Sequence, residues 1–143
     1  MSFEVKITSH ADEIREDMNE AIARVLERVG MQAESFAKAN ITQSGAVDTG
    51  NLRNSITHQV SVFSFKEAKE VYIGTAVQYA PYVEFGTGIH AETGGRQTPW
   101  VFKNPKDGRF YMTRGMKARP FLRPAVRDHI AEYKAIIEDE LNK

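Results

Sequence analysis

From Ala11 to Asn40 the apolar residues Ile14, Met18, Ile22, Val25, Val29, Ala33 and Phe36 recur at spacings of three and four. That period places them on one face of a helix and predicts a single long helix over 11–40. Ser9 or Asp12 is the expected cap. Acidic residues crowd the first turns, where the helix dipole favours them. Gly30 weakens the middle modestly, and Asn40 is the expected end. A helix of this length needs an apolar surface to lie on, so the rest of the chain must supply one.

The next segments supply short strands. "TQSGAVDTG" (42–50) is a loop by composition, and Asp48 or Thr49 can cap a short helical turn through Leu52 and Ile56. "SITHQVSVFSF" (55–65) alternates, with Ile56, His58, Val60, Val62 and Ser64 on one face. "VYIGTAV" (71–77) returns after the polar "KEAKE", which predicts an antiparallel hairpin. A second hairpin is predicted in "PWVFKNPKDGRFYMT" (99–113), around Asn104-Pro105 and Asp107-Gly108. The glycine-rich stretch 86–98 between them reads as a mobile loop. Residues 120–141 are predicted as one closing helix, with Pro120 in its first turn. Val126, Ile130, Tyr133, Ile137 and Leu141 form its apolar stripe. The class is α+β: a long N-terminal helix, antiparallel β-hairpins forming a sheet, and a C-terminal helix. A single domain over 1–143 is expected, with both helices and both hairpins sharing one core and with Phe36, Val62, Ile73 and Ile130 buried in it.

Composition removes several kinds of chemistry. The chain has no cysteine, so thiolate metal sites, disulfides and cysteine nucleophiles are excluded; a cytosolic origin fits that absence. "MSFEVKITSH" has no apolar run of signal-peptide type, and no stretch approaches the roughly 20 apolar residues of a membrane helix, so no membrane partner is expected. The histidines His10, His58, His90 and His129 are scattered. His90-Ala91-Glu92 matches half of a zinc-deaminase signature whose cysteines are missing. Phosphate-cradle and nucleophile-elbow motifs are absent. No catalytic residue, cofactor or metal is therefore expected.

Charge is divided along the chain. Residues 96–127 hold nine Lys/Arg and one acid, Asp107, a net of +8. The remaining ten bases and 18 acids give −8, so the whole is neutral. Three readings stay open: a solvated basic surface, head-to-tail contact between copies, or a basic rim facing nucleic acid.

"YAPYVEFGTG" (79–88) reads as one helical turn opened by Pro81 and ended by Gly86. Tyr82 and Phe85 then share a side, and Glu84 points elsewhere, free to pair with a base. The aromatics are either a plug packed on the sheet or a contact surface for a neighbouring subunit. "KARPFLRPAV" (117–126) is either a helix start with its hydrophobic anchors or an assembly contact through Arg119 and Arg123.

Taken in order, "VDTGNLRNSI" (47–56), "VYIGTAVQYAPYVEFGTG" (71–88) and "ARPFLRPAV" (118–126) resemble the gp ten-like head–tail joining, or tail-completion, family of lambdoid phages and prophages. "GGRQTPWVF" (94–102) resembles a subgroup with an extra hairpin. The resemblance implies a non-enzymatic virion component forming a ring at the head–tail junction, made in the bacterial host cytoplasm. Its implied partners are copies of itself and neighbouring neck, portal-side or tail proteins, with no specific nucleic acid. The family blocks fall on Asp48, Thr49, Gly50, Leu52 and Arg53; on Tyr79, Ala80, Pro81, Tyr82, Glu84, Phe85, Gly86 and Thr87; and on Arg119, Pro120, Phe121, Leu122 and Pro124. The alternatives are another minor tail or head-completion component, or a DNA-binding module using the basic 96–127 region.

Overall fold

A computed structural model describes residues 2–45, 50–61 and 70–142, with side chains from Asp17 onward within them. The predicted α+β class holds. Helix α1 runs Ser2–Ser44, followed by a short α2 (Asn51–Ser55) and an antiparallel pair, β1 (Thr57–Ser61) and β2 (Glu70–Gly74). Helix α3 (Ala80–Phe85) and a 3-10 turn at Gly88–His90 lead to a second antiparallel pair, β3 (Trp100–Lys103) and β4 (Phe110–Thr113). Two helices close the chain, α4 (Leu122–Arg127) and α5 (Ile130–Leu141). Each hairpin is its own two-stranded sheet.

The core gathers Ala37 and Ile41 of α1, Leu52 of α2, Ile56, Ala80 and Val83 of α3, Phe121, and Ala125 of α4. Phe36, Ile73, Val77 and Leu122 pack against it half-buried. The first hairpin lies on α1, and its alternation is as predicted: Ile56 is buried, His58 and Val60 half-buried, Thr57 and Gln59 exposed. Gly30 has a packing role. A Cβ there would stand 2.5 Å from His58 Cδ2 and 2.8 Å from Val71 Cγ2. The missing side chain lets β1 and β2 approach the helix, and the small propensity cost of glycine is spent on that contact.

Several expectations are corrected. Helix α1 starts at Ser2 and ends at Ser44, so neither Ser9 nor Asp12 caps it and Asn40 does not stop it. Asn40 instead sends its side-chain amide to the Phe121 carbonyl at 3.2 Å. Met18, on the predicted apolar face, is exposed. The closing helix is two helices. Phe121 precedes α4, so Pro120 lies outside it. The break at Asp128-His129 lets the His129 ring stack on Phe36, with centroids 3.5 Å apart. The predicted stripe faces outward: Val126 of α4 and Ile130 and Leu141 of α5 are exposed, and Tyr133 stays half-buried, donating its hydroxyl to the Ala125 carbonyl.

The single-core expectation holds for α1, the first hairpin and α4, but not for the second hairpin, whose apolar side chains are mostly exposed. Of the four residues expected inside, Phe36 and Ile73 are half-buried and Ile130 is 52 % exposed, while Val62 lies outside the described residues. The loop expected to be mobile over 86–98 is tied down in its first half. Thr87 and Ile89 donate their amides to Met116 and Arg114, and Glu92 donates to Phe85. Backbone packs on backbone here, since a Cβ on Gly88 would stand 1.9 Å from the Arg114 carbonyl oxygen.

Candidate assembly interface

The segment "YAPYVEFG" makes the helical turn its residues suggest. Tyr79 is the N-cap, Pro81 sits in the first turn where no amide donor is needed, and Gly86 closes the turn with φ at 80°. Ala80 and Val83 face the core. Tyr79, Tyr82 and Phe85 face outward, with Tyr82 58 % and Phe85 45 % exposed. The reading of these aromatics as a plug on the sheet is thus overturned, because a six-residue turn that buries Ala80, Val83 and Glu84 has only its opposite side left for them.

Glu84 is the anchor. It is only 4 % exposed. Its Oε2 accepts the amides of Phe121 at 2.7 Å and Leu122 at 3.0 Å, and its Oε1 accepts the amide of Arg123 at 3.0 Å and that residue's Nε at 2.9 Å. The carboxylate therefore satisfies the amides that open α4, as an N-terminal cap would, from 37 residues upstream. Burial pushes its pKa up. The amides of Phe121 and Leu122 and the side chain and amide of Arg123 outweigh burial and hold it below the ordinary carboxylate range.

Arg123 ties the turn to the following loop. Its guanidinium bonds Glu92 through Nη1 at 3.0 Å and Nη2 at 2.8 Å, and also reaches the Glu84 carbonyl at 3.0 Å. Its pKa is raised by Glu92 and then Glu84, and the Glu92 carboxyl is lowered chiefly by Arg123. The guanidinium carbon lies 4.6 Å from the Phe85 ring centroid. Of the two readings of 117–126, the contacts of Arg123 fit the helix start with its anchors, since its donors are engaged within the chain. Glu92, part of the half-matched His90-Ala91-Glu92 signature, is engaged by the same arginine, and among the described residues no cluster of three His, Asp or Glu could hold a metal ion.

Beside this turn lies an apolar groove of about 610 Å³, whose walls include Pro81, Tyr82, Phe85, Arg96 and Trp100. The Arg96 guanidinium stands 5.5 Å from the Trp100 ring centroid. The sequence alone pointed to the aromatics, but not to Trp100 as part of the same surface. The fold brings it there by pinning Thr87–Ile89 to the foot of β4.

The remaining motif residues divide by role. Leu52 and Phe121 are core. Gly50 is the N-cap of α2 with φ at 76° and no side-chain cap bond, while Asp48 and Thr49 lie outside the described residues. Arg53 donates to the Thr42 hydroxyl at 3.3 Å. Thr87 accepts the Met116 amide on its hydroxyl at 2.8 Å. Arg119 donates its amide to Val83 at 2.7 Å and its guanidinium to the Gly45 carbonyl at 3.3 Å. Pro120 and Leu122 are half-buried, and the half-buried Pro124 accepts the Asp128 amide. Most of the motif therefore builds the fold, and Tyr79, Pro81, Tyr82, Phe85 and Arg119 are outward-facing members among the described residues.

Comparison with known protein families matches residues 3–86 to the family described as "Bacteriophage HK97-gp10, putative tail-component". The match spans more than half of the chain. This protein belongs to the HK97-gp10-like family of phage tail components. The matched residues run from α1 through Gly86 and so include α3, its aromatics and Glu84. The second hairpin and the Arg119–Pro124 block lie beyond them. No curated protein and no solved structure matches the chain significantly. Among the described residues no helix is long and apolar enough to cross a membrane.

Proposed function

We propose that this HK97-gp10-like protein is a non-enzymatic structural subunit that assembles as a ring at the head–tail junction of a tailed phage or prophage and completes the tail. The observation that carries the reading is the construction of α3. Its inner side is locked by the buried Glu84 and by Val83, so Tyr79, Tyr82 and Phe85 are presented on a rigid base instead of being folded away. Rigid exposed aromatics beside an apolar groove are the usual centre of a protein–protein contact. Family membership supports a place in the virion. The division of charge supports contact between unlike faces of successive copies, which closes into a ring when the rotation permits. Residues 1–143 act as one domain. The subunits are made in the host cytoplasm and meet one another and neighbouring neck, portal-side or tail proteins, with no cofactor and no specific nucleic acid.

Deletion of the gene from the phage, followed by electron microscopy of the particles, tests the reading. Unjoined heads and tails are expected, with an epitope label on the restored protein appearing at the neck. Intact particles without the protein overturn it. Salt-sensitive retention of duplex DNA by the purified chain, without incorporation into particles, favours the DNA-binding alternative.

A further inference from the structure

The register of the second hairpin puts Val101 opposite Met112 and Lys103 opposite Phe110. These four share one face, since alternate residues of a strand point the same way. Val101 is 60 %, Phe110 70 % and Met112 73 % exposed, so this face covers nothing in its own chain. Phe102 and Tyr111 lie against each other on the opposite face, with ring centroids 6.0 Å apart. Tyr111 and the Arg109 amide both donate to Asp107, which stiffens the tip. The result is a braced arm with an unused apolar side and a basic rim.

A matching surface lies on the two long helices. Arg28, Met31 and Gln32 of α1 and Ile136 of α5 line a groove of about 330 Å³, and Met31 is 58 % exposed. Next to Ile136, an outward row of Ile130, Ile137 and Leu141, spaced seven and then four residues apart, lies on one face of α5. The Arg28 guanidinium in that groove is held by Asp139 and Glu140, each at 2.8 Å. Over α1 and α5 the sequence counts 12 acids and six bases, a net of −6. Residues 96–119 count seven bases and Asp107, a net of +6.

We propose that the Val101–Phe110–Met112 face of the second hairpin docks on the α1–α5 groove of a second copy of this chain. The groove offers the apolar Met31 and Ile136 with the Asp139 and Glu140 carboxylates beside it, and the arm offers Val101, Phe110 and Met112 within a basic stretch of sequence. They are different patches of one molecule, so the contact is head-to-tail and propagates from copy to copy. The proposal rests on the reading that the protein self-assembles, and it names the two surfaces that meet.

The absence of cysteine gives a clean test. Met112→Cys and Met31→Cys are introduced into separate chains, co-incorporated into particles and also mixed as purified protein, then treated with a short bismaleimide cross-linker. The mixed dimer is expected to form well above either dimer of like chains. In parallel, Phe110→Asp should leave the circular dichroism and melting temperature of the subunit unchanged, and should raise the concentration for half-assembly by about tenfold or more. Rings that contain both variants but yield no mixed product overturn this contact while leaving ring assembly in place. A mixed product in purified protein that is missing from the neck of particles sinks the head–tail reading and leaves the contact. Cross-linking of Met112→Cys to a different virion protein instead of a second copy, or loss of duplex DNA retention in Phe110→Asp with assembly unchanged, also overturns it.

Discussion

The Glu84 carboxylate accepts the Phe121 amide at 2.7 Å, joining the end of the family-matched segment to the start of α4. A buried charge is held by four donors from one short stretch, and the outward aromatics of α3 ride on that bond. Replacement by Ala strands three amides at the opening of α4. The Glu84→Ala chain is expected to lose about 3 kcal/mol of stability. Urea unfolding of the purified subunit measures it, and a loss below about 1 kcal/mol would mean that water replaces the carboxylate at little cost.

Glu84 and His58 set opposite pH limits. The folded pKa of Glu84 is depressed, so its contribution is fully present above the unfolded carboxylate value and is lost as pH falls through the folded value. His58 is bonded by Glu27 and Glu34, each at 2.7 Å, which raise its pKa in that order against burial. Its contribution is fully present below the unfolded histidine value and is lost as pH rises through the raised folded value. The melting temperature should therefore plateau between about pH 4.3 and 6.5 and decline on both sides. In His58→Gln the decline on the alkaline side should flatten while the acid side remains. An unchanged alkaline slope would remove His58 as its source.

Gly30→Ala should destabilise the protein although it improves helix propensity. Alanine gains up to about 1 kcal/mol in a helix interior. Its Cβ, however, meets a His58 ring anchored at both nitrogens and the Val71 side chain, and overpacking of this kind costs about 1–3 kcal/mol. Thermal melts of the two chains decide the sign, and a stabilised Gly30→Ala would show that the hairpin moves away freely.

Tyr82→Ala should separate stability from assembly. The side chain is exposed, so the change in unfolding free energy should stay within about 0.5 kcal/mol. Ring formation or docking, followed by native mass measurement and by infectivity, should fall sharply. Wild-type assembly in this variant would move the interface away from α3.

Core and surface isoleucines should behave oppositely. Ile56→Ala removes a fully buried side chain and should cost about 2–5 kcal/mol, whereas Ile130→Ala, at an exposed site, should leave stability nearly unchanged. Equal losses at both positions would contradict the outward face of α5.

Elements whose signal is local were legible in the residues alone. The period of Val25, Ala33 and Phe36 marks a helix, alternation through Ile56, His58 and Val60 marks a strand, and Pro81 with Gly86 brackets a turn, because each depends only on neighbours within a few residues. The family, too, was legible in the residues around α3. Tertiary structure alone decided which faces are used. Val126, Ile130, Ile137 and Leu141 form a stripe that any reading of periodicity turns inward, yet all four are exposed, and the contact with α1 is made instead by His129 stacked on Phe36 and by Tyr133. The base expected for Glu84 is Arg123, yet three of its four donors are backbone amides 37 to 39 residues away, which no pattern of side chains encodes. Periodicity shows that a face is apolar. Only packing between distant segments settles whether that face meets the chain's own core or stays outward for a partner.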